Sequence, residues 1–297
     1  MNDLPMRGKT VVITGATSGL GEATARQLSS LGAHVLIVAR NKARADALVG
    51  DIKSNGGSAD SVIADLSIMS QVRMAADQIA THYSKIDVLI NNAGAFYAER
   101  ADTKEGFERT LATNYLAPYL MIERLLSNIR EASKDNGPAR IINIASLGHK
   151  RPIHWEDLNW AEYYDGPVVY EHSKHLMISA TYKLARELKG ENIIVSCVHP
   201  GFVRSNLIRG QKLRFPMNIM FPLLGGLIGI SPQKAAETPV WLASSEAGAK
   251  QHGNYIVGKQ QKKSWRPTYD TDAQDRLKRI TQDLLQPWLL KQKELNL

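Results

Sequence analysis

The sequence predicts an α/β chain, a single doubly wound (Rossmann) domain on a parallel sheet of about seven strands. Three observations carry this. Short β-branched runs alternate with longer helical patterns through the first two-thirds of the chain. The runs are continuously apolar, as strands covered on both faces are, rather than alternating. A glycine-rich turn follows the first run directly and opens a helix.

Thr10 to Thr14 reads as the first buried strand and Leu20 to Leu31 as the helix behind it. His34 to Ala39 is the next strand and Lys42 to Ser54 the next helix. Ser61 to Ala64, Asp87 to Asn91, Arg140 to Ala145 and Asn192 to Cys197 continue the strands, and Gly253 to Val257 reads as the last. Helical stretches are expected near 67–83, 103–113, 115–132 and 170–189. No repeat or linker separates a second domain. Residues 1–297 therefore form one unit, with a substrate loop at about 202–232 and a C-terminal extension at about 259–297.

With 297 residues, 43% hydrophobic and 22% charged, the composition excludes extended disorder and a polytopic membrane protein. The lone Cys197 excludes an intrachain disulfide and a cysteine-cluster zinc site. The net charge of +8 is dispersed without a long basic run, which points to a solvated surface and a phosphate pocket rather than to nucleic acid. Met1 to Arg7 lacks the apolar core of a secretory signal. Phe215 to Ile230 is strongly apolar but shorter than the ~20 residues of a spanning helix. It reads as a mobile lid or an interfacial segment. The expected location is cytoplasmic, with peripheral membrane contact through 212–230 as the alternative.

The turn after the first strand is Thr14-Gly15-Ala16-Thr17-Ser18-Gly19-Leu20-Gly21. Glycines there permit a tight turn and let backbone N–H groups approach a pyrophosphate at a helix N-terminus. The spacing departs from the commoner Gly-x-Gly-x-x-Gly. At the end of the second strand, where NAD-binding folds place an acid, stand Arg40, Asn41 and Lys42, followed by Arg44. Cations there favour a 2′-phosphate, so NADP(H) is preferred and NAD(H) is the second choice. Asp65 and Leu66 after the third strand fit an adenine contact. Asn92, Ala93 and Gly94 after the fourth supply small and amide groups where a cofactor lies against the sheet.

Tyr170 and Lys174 fall at i and i+4 on a predicted helix, so phenol and ammonium share one face. A free tyrosine titrates near pH 10, and an adjacent cation favours its phenolate. Ser146 ends the fifth strand at the same sheet edge, where its hydroxyl reaches a substrate oxygen. Asn114 sits in a helical pattern it disfavours, which points to a backbone kink or an ordered water. Taken singly these are also a surface tyrosine, a strand-end serine and a turn asparagine. Together with the cofactor loops they read as a proton-transfer constellation.

These residues are similar to the short-chain dehydrogenase/reductase family over about residues 8 to 258. The resemblance implies Tyr170 as general acid/base, and Lys174 lowering its pKa and holding the nicotinamide ribose. It implies Ser146 orienting the reacting oxygen and Asn114 anchoring a proton-relay water. It places Pro200, Gly201, Val203 and Ser205 at the nicotinamide carboxamide, with Ser205 where a threonine is usual. The stretch Leu147 to Asn159, inserted between Ser146 and Tyr170, resembles the retinol dehydrogenase-like subgroup, as do Tyr170 to Lys174 and Ala39-Arg40-Asn41. The family commonly pairs the helices expected at 103–132 and 170–189 across a two-fold axis, which implies a homodimer or tetramer.

His149, His154, His172, His175 and His199 lack metal-ligand spacing, and hydride chemistry needs no metal. Apolar residues of 212–230, hinged at Gly225 and Gly226, are expected to line a substrate pocket, to touch lipid or to pack as core or dimer surface. Trp155, Trp160, Tyr163 and Tyr164 form another candidate wall. The pattern Leu277, Ile280, Leu284, Trp288 predicts an amphipathic helix, broken near Pro287, that caps the pocket or meets a partner. The expected function is an NADP(H)-dependent oxidoreductase acting on a small lipophilic alcohol and its aldehyde or ketone. The alternative is a dinucleotide-binding sensor or scaffold. A sugar-nucleotide epimerase is disfavoured by the short stretch after Gly201.

Overall fold

In the computed structural model, which describes residues 4–135, 137–203 and 229–290, the strands and helices alternate as the apolar runs require. β1 (Thr10–Thr14), α1 (Gly19–Ser30), β2 (His34–Ala39), α2 (Lys42–Ser54), β3 (Ser58–Ile63), α3 (Met69–His82) and β4 (Val88–Asn91) come first. A long loop leads to α4 (Arg109–Leu111), a π-turn at Ala112–Leu116 and α5 (Ala117–Ala132). β5 (Ala139–Ile144), α6 (Gly166–Glu187), β6 (Ile193–His199), α7 (Pro232–Ser244), β7 (Asn254–Val257), β8 (Gln260–Lys262) and α8 (Thr271–Leu289) follow.

Among the described residues the sheet has eight strands in the order β3-β2-β1-β4-β5-β6-β7-β8. β1 to β7 pair in parallel, with Val11 beside both Val35 and Val88. β8 adds an antiparallel edge strand to the seven expected. Its exposed Gln260-Gln261-Lys262 carries no apolar signal, so only the pairing with β7 makes it a strand.

The two faces divide the strand residues by their period of two. Val12, Leu36, Leu89 and Ile141 pack against α3, α5 and α6. Val11, Ile13, Val35, Ile37 and Ile90 pack against α1, α2 and α7. The cofactor and catalytic loops therefore all leave the C-terminal edge of one buried sheet.

One expectation changes. The helix expected at 103–113 begins only at Arg109. Gly106 has φ +84°, the Thr103 amide donates to the Phe107 carbonyl at 2.8 Å, and Glu108 caps the helix through the Thr110 and Leu111 amides. A tight turn with its own hydrogen bonds outcompetes helix there. The C-terminal helix α8 packs on α5 and α6. Leu277 and Leu285 enter the core, and Tyr115 and Thr281 share a 2.6 Å hydroxyl bond. α8 ends at Leu289, two residues past Pro287.

His172 sets an acid limit on this fold. Its ring is 1% exposed and meets two N–H donors, the Trp160 indole at 3.1 Å and the His154 amide at 3.2 Å. A neutral imidazole accepts one of them and a charged ring neither. Burial pulls its pKa from 6.5 down to about 3. Below pH 6.5 the unfolded chain therefore takes up a proton that the folded chain does not, and stability falls. His199, held down to about 4, acts in the same direction. At pH 5 His172 alone costs about 2 kcal/mol. The urea midpoint should drop between pH 7 and 5, and a flat midpoint over that range would contradict this.

Candidate active site

The glycine turn is locked to the segment after β4. Gly15 has φ +65°, and a Cβ there would lie 2.8 Å from the Ala93 Cα. A Cβ on Gly21 would lie 2.5 Å from the Gly15 carbonyl and collide with the Asn92 amide. The Asn92 amide donates to the Thr14 and Gly15 carbonyls at 2.8 and 3.1 Å, while the Thr14 hydroxyl accepts the Asn92 and Ala93 amides at 3.0 Å each. Thr14, not among the expected site residues, thus joins both loops. Its signal in the sequence is a hydroxyl at the last position of β1. Gly21→Ala should lower dinucleotide affinity at least about tenfold, since the new methyl strikes the Gly15 and Ala16 backbone and the Asn92 amide that ties the two loops together. Equilibrium binding checks this, and unchanged affinity would refute it.

Ser18 sits at the N-cap of α1 in extended conformation with no side-chain cap bond, so its hydroxyl leaves the first-turn amides to other partners. Thr17 is half-buried beside it. The Leu20 and Leu66 side chains belong to the two cores, so each offers the cleft its backbone alone.

At the ends of β2 and β3, Arg40 and Asp65 come together, with Nη1 3.8 Å from Oδ2. The Arg40 side chain is 67% exposed. The other Asp65 oxygen accepts the Ser67 amide and hydroxyl at 2.9 and 2.8 Å, which fixes the carboxylate. The Asn41 side chain caps α2 by accepting the Arg44 amide at 2.9 Å. Its side-chain carbonyl thereby closes the first turn of α2.

The other end of the cleft is built on α6. Lys174, 4% exposed, donates to the Ile144 carbonyl at 3.0 Å, and its Nζ lies 5.7 Å from the centre of the Tyr170 ring. Burial pulls the ammonium down to about 8. Burial also raises the Tyr170 phenol, and a hydrogen bond with Ser146 opposes that rise. Phe96 packs edge-on against the phenol at 6.0 Å.

Asn114 lies inside the π-turn, so the kink expected there is present. Its amide is tied to protein: Oδ1 accepts the Ala95 amide at 2.7 Å, and Nδ2 donates to the Ala95 carbonyl and the Ser173 hydroxyl at 3.0 Å each. Gly94 lies between Asn114 and Lys174, a Cβ on it standing 3.7 Å from Oδ1 and from Nζ.

Beyond β6, Pro200 leads to Gly201, which has φ +93° and packs on Ile230. Val203 bridges to Ile230, whose amide donates to the Phe202 carbonyl at 2.9 Å. Ser205 and the lid or membrane segment 212–228, with its hinge at Gly225 and Gly226, lie outside the described residues. No helix among the described residues is long and apolar enough to cross a membrane. Of the aromatic wall, Trp155 lies under the Arg276 guanidinium of α8 at 4.5 Å, and Trp160 bonds His172. The Tyr164 hydroxyl donates to the Tyr97 carbonyl at 2.8 Å, and Tyr163 is 70% exposed. α8 thus caps the 147–165 stretch through Trp155.

Comparison with known proteins agrees with this geometry. The sequence profile of the family described as short chain dehydrogenase matches residues 9–213. Retinol dehydrogenase 14 of Mus musculus is 36% identical over 81% of this chain and 75% of its own. The solved Pseudomonas aeruginosa RhlG/NADP active-site complex superposes with a TM-score of 0.69 at 27% identity, covering 87% of this chain and 98% of that one. A 3-ketoacyl-(acyl-carrier-protein) reductase from Brucella melitensis complexed with NADH superposes at 0.68 and 28% identity, covering 85% and 97%. A glycine turn, a Ser–Tyr–Lys cluster and these matches converge: the chain belongs to the short-chain dehydrogenase family, in its retinol dehydrogenase-like branch, and is an oxidoreductase of alcohol and carbonyl groups.

Proposed function

We propose that the protein is an NADP(H)-dependent reductase or dehydrogenase interconverting a lipophilic alcohol with its aldehyde or ketone, and that Tyr170 exchanges the proton on the substrate oxygen. One observation carries this reading. Ser146 stands near enough to Tyr170 to act against the rise of its phenol, at the same sheet edge where Lys174 and Asn114 meet across Gly94, beside the glycine turn.

The residues present fit a dinucleotide. Gly15, Gly19 and Gly21 let the chain turn onto the N-terminus of α1, where amides would receive a pyrophosphate. Thr17, Ser18 and the backbone of Leu20 line that turn. Arg40 would exchange Asp65 for a 2′-phosphate, with Asp65 and the Leu66 backbone toward the adenine. Ala93 and Gly94 leave a ledge of small residues along the sheet, and Pro200, Gly201 and Val203 would stand at the nicotinamide end. Lys174 would hold ribose hydroxyls. When bound, the dinucleotide supplies hydride at nicotinamide C4 and, once oxidised, a positive ring charge near the phenol.

In the reducing direction the carbonyl carbon gains that hydride, the C=O π bond breaks and the oxygen takes the Tyr170 proton, which solvent replaces. Carbonyl, NADPH and H⁺ become alcohol and NADP⁺. Ser146 orients the oxygen through its hydroxyl, while Asn114 holds the Ala95 backbone and the Ser173 hydroxyl in place. Leu147, beside Ser146, is 59% exposed and Phe202 is 37% exposed, which supports a lipophilic substrate.

The test is loss of NADPH absorbance against aldehydes and ketones of graded chain length. Turnover that strengthens with chain length supports the reading. Uniform silence with retained NADPH binding would replace it with the sensor.

A further inference from the structure

β5 makes its last ladder bond at Ala145, whose amide donates to the Val198 carbonyl at 2.8 Å. Ser146 is the first residue beyond it, so its peptide must be oriented by other means. The structure supplies two. The His149 Nδ1 donates to the Ser146 carbonyl at 2.8 Å, and the Tyr255 hydroxyl donates to the same oxygen at 3.0 Å. The other His149 nitrogen, Nε2, accepts the Trp265 amide at 3.0 Å. A single neutral tautomer, with its proton on Nδ1, satisfies both bonds. The ring is 3% exposed and packs at 5.4 Å on Tyr255.

Trp265 belongs to the C-terminal extension, and it is held in turn. Its indole packs edge-on to His175 at 5.4 Å, and His175 Nδ1 donates to the Arg151 carbonyl at 2.5 Å. The Arg151 guanidinium pairs at 3.1 Å with Glu171, the residue after Tyr170. The stretch after Ser146 is thereby closed into a ring of contacts with β7, α6 and the extension.

We propose that His149 is a positioning residue. By fixing the Ser146 peptide it sets the serine hydroxyl toward the Tyr170 phenol, while Trp265 holds the other nitrogen of the ring. This rests on the reading of Tyr170 as the proton-transfer group. Turning the peptide by a few tens of degrees carries Oγ on the order of an ångström, a displacement that costs about 100-fold in rate at a reacting centre.

Three variants test it. His149→Phe keeps an aromatic ring and removes both bonds. His149→Asn keeps an N–H where Nδ1 stood and loses the acceptor for Trp265. Tyr255→Phe removes the second donor to Ser146. Each is read by kcat and KM for an aldehyde, NADPH affinity, melting temperature, and the titration of Tyr170 followed through its ¹³Cζ resonance.

H149F should lower kcat about 10- to 100-fold, leave NADPH affinity within about twofold, and move the Tyr170 titration upward because the Ser146 bond is misplaced. H149N should recover most of kcat and of the titration, and Y255F should show the same signs more weakly. The proposal is overturned if H149F leaves kcat and the Tyr170 titration unchanged, or if H149N is no better than H149F. Parallel loss of melting temperature, NADPH affinity and kcat in H149F, H149N and Y255F would also overturn it in favour of a purely structural role. The Tyr170 titration needs no substrate, so a wild-type protein silent toward carbonyls would remove the enzymatic reading while the effect of His149 on the phenol is still measured.

Discussion

Tyr170→Phe should reduce carbonyl turnover about a thousandfold while NADPH affinity stays within about twofold. The substitution removes one oxygen from a ring whose position is otherwise fixed by Phe96 and by α6. Hydride transfer without a proton donor leaves an alkoxide, and neither neighbouring group takes the place of the phenol. Ser146 and Lys174 stay in place, yet the Ser146 hydroxyl is a far weaker acid and the Lys174 ammonium is engaged with the Ile144 carbonyl. Steady-state loss of NADPH absorbance and equilibrium binding on the same preparation separate the two effects. Full turnover by the phenylalanine variant would remove Tyr170 from the reaction.

Arg40→Asp should weaken NADPH about 100-fold or more and NADH only slightly. Arg40 is the exposed cation at the end of β2, and its present partner, Asp65, is held by Ser67. A bound 2′-phosphate would gain a charge-assisted pair, worth about 1.5–3 kcal/mol, in exchange for a 3.8 Å contact. Aspartate there would instead repel that phosphate and, beside Asp65, set two carboxylates together. On a ribose lacking the phosphate it would accept the hydroxyls. The ratio of the two dissociation constants is the measurement. Equal losses for both nucleotides would dissociate Arg40 from phosphate recognition.

Most of the sheet and much of the site were legible because their signals are local. Buried parallel strands must be continuously apolar, so Val11 to Ile13 or Leu36 to Val38 announce themselves. The glycines at 15 and 21 stand where a methyl would strike backbone, and Tyr170 and Lys174 share a helical face by spacing alone. What escaped depends on partners distant in sequence. Thr14 matters because Asn92 and Ala93 come back to it, and nothing in Thr10 to Thr14 encodes that return. Asn41 reads equally as a ligand group or as a cap until α2 claims it. β8 has no apolar residue and exists through β7.

The face of α5 and α6 illustrates the same limit in the opposite direction. Its pairing with another copy was an expectation from the family resemblance, and the chain itself supplies a further neighbour. Here Leu277, Leu285 and Trp288 of α8 pack against that core cluster, and Tyr115 and Thr281 bond across the contact. The amphipathic pattern of 277–288 was visible; which surface it would meet was not.

The central claim is that a half-buried phenol exchanges a proton with substrate oxygen near neutral pH. Its most direct measurement is the pH dependence of kcat/KM for alcohol oxidation by the wild-type protein with NADP⁺. Burial pushes the phenol up, while Ser146 and the positive ring of bound NADP⁺ would pull it down; activity should rise to a plateau through one ionisation, and that ionisation should be absent from the residual activity of Tyr170→Phe. A profile without such an ionisation, or the same ionisation persisting in the variant, would contradict the account.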